Sequence, residues 1–332
     1  MNNKLKPIPI IFGILILTSI SGFQFADATI NSDTISGWRN SQYGTSNQSD
    51  NNYWISVSQQ MVNKFPGSSP GGVLVVGELW GQPGTTELTY LQFPNPDGGN
   101  YPNVVFGSTD EIEVILDAYD QYGLKVYLQP ESAHAEIPML MDLIMDRYKH
   151  HPSVIGFGVD AEWYFEKDYP GYGKALSTAE VNAWATQVKT YNPNYKLMVK
   201  HWDYNQLSNA RPNNVLFLTD TERLASHNSA VNEYIDWIDH FNGAEVGFQY
   251  AYPSDQSWWG NFNDPATQII QPVLDARPNA NIGALFLVDF SVENILSQQN
   301  IGSPCAPNCD YDNPSPPTPS DTTKPVITPL GT

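Results

Sequence analysis

The residues best suited to chemistry lie in one short segment, Val154–Tyr164, with the sequence VIGFGVDAEWY. Side chains of a β-strand alternate between two faces, so Asp160 and Glu162 are predicted to share one face with the two glycines of the segment. Carboxyl groups crowded on one face repel each other, which raises the pKa of one of them. A carboxylic acid that stays protonated near neutral pH can protonate the leaving oxygen of a glycoside. We therefore expect Glu162 to be a general acid, and Asp160 to tune it or to orient the substrate.

Glycoside hydrolysis without help from the substrate needs a second carboxylate. Asp220 and Glu222 follow another predicted strand and, as residues i and i+2, share a face. One of them is expected to be the nucleophile or base, and Asp289 and then Glu78 are the next candidates. A separation of about 5 Å between acid and partner would give retention of configuration, and a wider one inversion.

The acid pair has other possible uses. It could bind a cation or pair with a neighbouring basic side chain, Lys200 or Arg223. A metal centre has little further support, because the six histidines form neither H-x-H nor H-E-x-x-H. A metal could still be bound by His201 and Asp203 together with a strand-end aspartate. His150–His151 precedes a strand and so lies at its amino end, away from the expected site. We expect no metal and no cofactor.

The elements that must position these residues alternate along the chain between buried strands and amphipathic helices. This alternation predicts a parallel sheet covered by helices, which a doubly wound sheet or a closed barrel would satisfy. No G-x-G-x-x-G and no P-loop occurs, and about 230 residues of repeat with long loops after the strands favour a TIM-type (β/α)8 barrel. Seven strands are predicted: Val73–Val76, Leu124–Leu128, Val154–Val159, Tyr195–Val199, Val215–Leu218, Val246–Tyr250 and Ile282–Val288. We expect a missing or atypical eighth strand within 79–109, and a polar surface segment over 29–52.

In such a barrel the functional side chains follow the carboxyl ends of the strands. Nearly every predicted strand end carries an acid, an amide or an aromatic residue. Flat aromatic faces suit the C–H faces of sugar rings, and polar groups suit the hydroxyls. Glu131 also lies at a strand end. The residues expected to bind substrate are Glu78, Trp80, Gln129, Trp163, His201, Trp202, Asp203, Gln249, Tyr252 and Asp289.

These strand ends resemble the chitinase-type family 18 of glycoside hydrolases. That family ends its fourth barrel strand with D-x-x-D-x-D-x-E, and Asp160-Ala161-Glu162 matches the final D-x-E, with Gly158 in place of the preceding acid. Gln249-Tyr250-Ala251-Tyr252 is similar to the family's Q-x-Y segment, which implies that Tyr250 orients substrate. The family's last strand has a tryptophan that Gly283–Leu287 lacks, and two predicted strands separate Glu162 from Tyr250 where the family has one. The resemblance favours a glycosidase-like barrel rather than chitin as the substrate.

The composition narrows the possible partners. The 332 residues carry a formal net charge of −19, which argues against nucleic acid and anionic membrane surfaces as partners. Only 15% of the residues are charged and 12% are aromatic, which is typical of a folded chain and is compatible with a carbohydrate-binding surface. We expect a monomer that binds a carbohydrate substrate.

The two ends of the chain predict export and a modular organisation. Lys4 and Lys6, the apolar run Ile8–Ile20 and the small residues Ala26-Asp27-Ala28 have the pattern of a secretory signal peptide over 1–28, with an uncleaved anchor as the alternative. The barrel is predicted over 29–301. Residues 302–332 are predicted to be a linker rich in Pro, Ser and Thr that leads into the start of a truncated Ig-like module. Cys305 and Cys309 can form a disulfide in an exported chain.

Three functions remain open on the sequence alone. The first is a secreted or cell-surface glycoside hydrolase that cleaves a polysaccharide or cell-wall glycan. The second is a non-catalytic carbohydrate-binding or cell-surface barrel. The third is a metal-dependent hydrolase or deacetylase.

Overall fold

A closed barrel of eight parallel strands forms the centre of the molecule. The computed structural model describes residues 30–44, 50–81 and 84–296. The strands are β1 (Ile35–Asn40), β2 (Ser69–Leu79), β3 (Thr89–Leu91), β4 (Val104–Phe106), β5 (Lys125–Pro130), β6 (Val154–Asp160), β7 (Lys196–Lys200), β8 (Val215–Thr219), β9 (Glu245–Tyr250) and β10 (Ile282–Leu287). All but β3 and β4 form the barrel, which closes because β1 pairs in parallel with both β2 and β10. The predicted TIM-type (β/α)8 fold is confirmed.

Helices follow the barrel strands and cover their outer faces. They are α1 (Asn51–Lys64), α2 (Glu111–Tyr122), α3 (Ile137–Tyr148), α4 (Thr178–Tyr191), α5 (His227–His240), α6 (Gln256–Trp259), α7 (Pro265–Gln268), α8 (Gln271–Ala276) and α9 (Val292–Ile295). One-turn 3-10 helices follow β6, β7 and β9 at Ala161–Trp163, Tyr204–Gln206 and Pro253–Asp255. Among the described residues, no helix has the length and apolar character needed to cross a bilayer.

The eighth barrel strand is β1, in the segment expected to wrap the surface, so that expectation is wrong. Trp38 points outward from β1 and is fully buried against α1, where its indole N–H donates to the Trp54 carbonyl (2.9 Å) and to Ser58 Oγ (2.7 Å). Residues 79–109 instead contain β3, which pairs antiparallel to β2, and β4, which pairs with β3 outside the barrel. Because β1 contains polar and small residues, it lacks the continuous apolar run that predicts a buried strand.

The core has two layers. Between the strands and the helices lies a large apolar layer that includes Trp38, Phe157 and Tyr250. Inside the barrel lies a small apolar cluster: Ile35, Val73, Tyr127, Met198, Leu216, Leu218, Ala284 and Phe286. At the amino end of the barrel, Lys196 Nζ lies 2.7 Å from Glu245 Oε2. The small apolar cluster separates this ion pair from the carboxyl end of the barrel. At that end lie polar side chains from all eight strands or from the loops that follow them.

Several predictions concern residues beyond this description. The signal segment 1–28, the segment 302–332 and the Cys305–Cys309 pair all lie outside the described residues. They remain predictions from the sequence.

Candidate active site

Three carboxyl groups meet at the carboxyl end of the barrel. Asp160 ends β6, Glu162 lies in the one-turn helix that follows it, and Asp220 directly follows β8. One oxygen of each carboxyl group lies within 4.8 Å of an oxygen of the other two. The aspartates are almost fully buried. Glu162 is partly exposed at the mouth, which is the opening of the barrel at the carboxyl ends of its strands. The structure therefore brings together Asp160 and Glu162, which are separated by one residue in sequence, and Asp220, about sixty residues away.

A buried lysine joins the two aspartates. Lys200, the last residue of β7, points into the barrel between β6 and β8. Its Nζ lies 2.7 Å from Asp160 Oδ2 and 2.5 Å from Asp220 Oδ2. Burial alone would lower the pKa of Lys200, but the charges of Asp160 and Asp220 raise it well above its usual range. Lys200 is therefore a permanent cation beneath the carboxyl cluster.

The environment of Glu162 favours its protonated form. Burial by the surrounding protein, and then the charges of Asp220 and Asp160, raise the pKa of Glu162 well above its usual range. Lys200 acts in the opposite direction but does not cancel these effects. Burial also raises the pKa of Asp160, which Lys200 partly offsets. The cluster thus contains a carboxylic acid that faces the mouth and can donate a proton.

The local backbone differs from the strand alternation predicted for this segment. The pairing of β5 with β6 shifts register near Val154, and Ile155 packs with the cluster inside the barrel. The strand ends at Asp160, so Glu162 reaches the mouth from a helical turn. Beneath the acids, a Cβ at Gly158 would lie 2.6 Å from Met198 Cε and 3.0 Å from Gln129 Cβ. Gly158 therefore leaves room for Gln129, whose side-chain amide donates to Asp160 Oδ2 at 3.2 Å.

Four buried oxygens around this cluster accept no hydrogen bond from any described residue: Asp160 Oδ1, Asp220 Oδ1, Gln129 Oε1 and Gln249 Oε1. They come from β5, β6 and β9 and from the residue that follows β8. Buried polar atoms are normally paired, and an unpaired one costs free energy. Four acceptors in one mouth fit a ligand rich in hydroxyl donors.

Tyr252, rather than Tyr250, belongs to the mouth. Gln249 points inward from β9, and its side-chain amide donates to the Tyr252 hydroxyl. Burial, and then the charge of Asp220, raise the pKa of Tyr252 well above its usual range. Tyr250 points outward into the helix layer and donates its hydroxyl proton to the Ala266 carbonyl at 2.8 Å. The structure thus places Tyr250 away from the mouth, because successive residues of a strand face opposite sides.

No family model and no curated protein sequence matches this chain. Among solved structures, it is similar to the endo-1,4-beta-mannanase from Eisenia fetida, with a TM-score of 0.34 and 11% identity over 67% of this chain and 68% of that one. It is also similar to the beta-1,4-mannanase from the common sea hare Aplysia kurodai, with a TM-score of 0.34 and 12% identity over 79% and 89%. The resemblance to chitinase-type family 18 is not confirmed. The fold is established by its own strand pairing.

Asp289 is held in a buried ion pair and is not a free second carboxylate. Its Oδ1 lies 2.8 Å from Arg39 Nη1, and its Oδ2 accepts from the backbone N–H of Ser41 (3.1 Å) and from the Ser41 hydroxyl. Arg39 points inward from β1, a strand that the sequence pattern does not predict. The sequence does contain one indication of this strand: Ile35, Gly37 and Arg39 are spaced two residues apart and would share one face.

Two further acids line the β1 side of the mouth. Glu131 Oε2 accepts from the Tyr43 hydroxyl and from the Leu79 backbone N–H (3.1 Å). Glu78 Oε1 accepts from the Gln42 backbone N–H at 3.1 Å. Burial raises the pKa of Glu131 to about 7, although the nearby Arg39 acts to lower it. Glu131 therefore changes charge near neutral pH.

This shift predicts a pH-dependent stability. An ionised Glu131 is disfavoured in the fold, so the protein should lose stability as pH rises from about 4.5 to about 7, by on the order of 3 kcal/mol from this group. Glu131→Gln should remove that part of the slope, so that its stability relative to wild type rises between pH 5 and pH 8. Urea unfolding across this range measures the difference. A difference that stays constant with pH would contradict the prediction, and the exposed Glu136→Gln serves as the control.

Glu222 lies apart from the carboxyl cluster. It is in the loop after β8, where its Oε2 accepts from the Ser254 hydroxyl at 2.9 Å and its Oε1 lies 3.2 Å from Arg223 Nε. The shared face predicted for Asp220 and Glu222 does not exist, because β8 ends at Thr219. Of this pair, only Asp220 remains a candidate catalytic group.

The loops after β6 and β7 form an aromatic platform. Tyr172 is 47% exposed, and its ring lies 5.0 Å from that of the partly exposed Trp202. His201 supports the platform: its Nδ1 accepts from the Asp203 backbone N–H (2.7 Å), so its Nε2–H donates to the Tyr172 carbonyl (2.7 Å). His201 and Asp203 therefore shape the loop and do not reach the carboxyl cluster. The partly exposed Trp163 follows Glu162 directly.

Trp80 lies in a separate recess. Its ring stacks on Tyr90 with centroids 5.1 Å apart. It also lines a pocket of about 450 Å³ together with Thr85, Thr86, Glu87, Leu88 and Lys167. None of the three clustered carboxyl groups lines this pocket.

Strained backbone marks the same end of the barrel. Four non-glycine residues with positive φ, Ala133 (45°), Phe165 (55°), Arg223 (61°) and Ala251 (68°), lie in loops that follow barrel strands at the carboxyl end. Such conformations cost about 1–3 kcal/mol each and concentrate at functional sites. The loops are therefore held in shapes that their local sequence does not favour.

Proposed function

We propose that this chain is a glycoside hydrolase whose active site is the carboxyl cluster at the mouth of the barrel. The observation that carries the proposal is that Glu162 faces the mouth with an oxygen within 4.8 Å of one from Asp220, in surroundings that raise the pKa of Glu162. Glycosidases use two neighbouring carboxyl groups, one as the proton donor and one as the nucleophile or base. The unpaired acceptors and the partly exposed Tyr172–Trp202 platform support a sugar as the ligand.

In the proposed mechanism Glu162 is the general acid and Asp220 the nucleophile. Glu162 gives its proton to the leaving oxygen as the glycosidic bond breaks, and Asp220 attacks the anomeric carbon. Water then releases the sugar from Asp220, with Glu162 taking a proton from that water. Lys200 holds Asp220 in place through Oδ2 and leaves Oδ1 available. Asp160, deeper in the barrel, positions Lys200 and raises the pKa of Glu162.

The short spacing of the carboxyl groups predicts retention of configuration. Retaining glycosidases place the two groups about 5–5.5 Å apart, and inverting enzymes about 6.5–9.5 Å apart. The Glu162–Asp220 oxygens fall on the short side of these ranges. NMR of fresh hydrolysis products, before mutarotation, should show the anomer of the substrate. Products of the opposite anomer would rule out Asp220 as nucleophile.

Metal-dependent hydrolysis is less compatible with the geometry. Asp160, Glu162 and Asp220 could in principle ligate a hard divalent cation. However, Lys200 Nζ already lies between the two aspartates and supplies the positive charge that they need. Activity that survives prolonged treatment with a chelator would support the proposed mechanism.

The first experiment is a screen for reducing ends released by the purified protein from β-linked and α-linked polysaccharides and cell-wall glycans. Release from one class would support the hydrolase and identify its substrate. Binding to a glycan without release, measured by affinity electrophoresis on the same panel, would favour the non-catalytic carbohydrate-binding barrel.

We also propose that the protein acts outside the cytoplasm as a monomer. The N-terminal pattern of residues 1–28 supports export, and detection of the mature chain in the culture medium or cell envelope would test it.

A further inference from the structure

A second cluster of potential ligands lies at the amino end of the barrel, opposite the carboxyl mouth. Glu113 projects from α2, and His150 and His151 lie in the turn between α3 and β6. Their ligand atoms lie within 4.8 Å of one another. We propose that Glu113, His150 and His151 form a binding site for a transition metal of the zinc type.

Both imidazole rings direct the same nitrogen toward Glu113. His150 Nε2 lies 3.2 Å from Glu113 Oε1, and His151 Nε2 lies 3.4 Å from the same oxygen. The two rings are tilted by 38° relative to each other, with centroids 4.1 Å apart. Small side-chain adjustments would bring the three atoms to the 2.0–2.2 Å range in which zinc binds nitrogen and carboxylate oxygen.

The partners of the opposite ring nitrogens determine the tautomers. His150 Nδ1 lies 2.9 Å from the Arg147 carbonyl, and His151 Nδ1 lies 2.7 Å from Asp120 Oδ2. Both oxygens can only accept, so each Nδ1 carries the proton. In a neutral ring the Nε2 lone pair is then free for a metal, as in the carboxylate–histidine–zinc arrangement of known metal sites. Asp120 is itself held by the Ser153 backbone N–H at 2.8 Å.

The Nε2 atom of His151 is buried and has no hydrogen-bond partner among the described residues. His151 is only 3% exposed, and its Nε2 makes no hydrogen bond within the described part of the chain, although Glu113 lies 3.4 Å away. A buried ring nitrogen without a hydrogen bond is unfavourable. A cation between His151 Nε2, His150 Nε2 and the Glu113 carboxylate would satisfy all three groups.

The chemistry of the donors favours zinc over calcium or magnesium. Two imidazole nitrogens and one carboxylate are a zinc-type ligand set, whereas hard cations prefer oxygen alone. His150 is exposed, so water could complete the coordination from the solvent side. The metal would link α2 to the turn that leads into β6. Since this end of the barrel usually serves stability, we infer a structural metal.

Zinc titration of the purified, chelator-treated protein tests the site by isothermal calorimetry. Wild type should bind one equivalent of zinc tightly, and added zinc should raise its Tm. His150→Ala and Glu113→Gln should each weaken this binding at least about ten-fold and lose the Tm increase. His150 is exposed, so its substitution should leave the fold intact, which circular dichroism verifies.

Two controls separate this site from other zinc ligands. His227→Ala removes a histidine from the start of α5, and Asp220→Asn removes an acid from the carboxyl mouth; both variants should retain the tight zinc equivalent. Failure of the wild type to bind zinc would overturn the proposal and leave the histidines as ion-pair partners of Glu113. Zinc bound equally well by His150→Ala, or lost only in Asp220→Asn, would also overturn it.

Discussion

Glu162→Gln should reduce hydrolysis of a natural polysaccharide by about 10³-fold without unfolding the protein. Glutamine keeps the size of the side chain but cannot donate a proton to the leaving oxygen. Burial and the charges of Asp220 and Asp160 disfavour an ionised Glu162, so a neutral glutamine should be accepted at this position. Reducing-end assays measure the activity, and thermal unfolding checks the fold.

The leaving group provides a sharper test of the acid role of Glu162. A dinitrophenyl glycoside needs little protonation as it leaves, so Glu162→Gln should lose far less activity on it than on the polysaccharide. Asp220→Asn should lose activity on both substrates because it removes the nucleophile. Glu222→Gln is the matched control, since the structure places Glu222 outside the cluster, and it should stay close to wild type. Equal losses for Glu162→Gln on both substrates would contradict the assigned role.

Lys200→Met should destabilise the protein by about 3–5 kcal/mol. Methionine fills a similar volume but removes the positive charge that lies between the buried carboxyl groups of Asp160 and Asp220. Breaking a buried ion pair by deleting one partner is costly because the remaining charge stays desolvated. Urea unfolding at pH 8 measures this loss.

Acid pH should reduce the penalty of Lys200→Met, because Asp160, whose pKa burial raises, no longer needs the lysine once it is protonated. We therefore expect a smaller difference from wild type at pH 5 than at pH 8. Lys149→Met removes an exposed ion pair with Asp146 and should cost less than about 1 kcal/mol. If the two variants lost similar stability, or if the Lys200→Met penalty did not fall with pH, Lys200 would not be the counter-ion of the cluster.

The sequence by itself determined the architecture and part of the acid site. Continuous apolar strands alternating with amphipathic helices have few stable arrangements, and the absence of nucleotide-binding motifs left the barrel as the best one. The short spacing of Asp160 and Glu162 at a strand end was also local information. The carboxyl ends of parallel strands all lie at the same end of the barrel, so residues at the strand ends come close together however the core packs. Asp220 could be placed near them for the same reason.

Only the tertiary structure decided which charges share the mouth and which residues face it. β1 was missed because its inner face holds Gly37 and Arg39, which are buried only once the barrel closes. Lys200 became the partner of both Asp160 and Asp220 because β7 lies between β6 and β8. Tyr250 turned outward because the register of β9 directs Gln249 inward. Pairing, register and closure act between residues far apart in the chain, and local patterns do not record them.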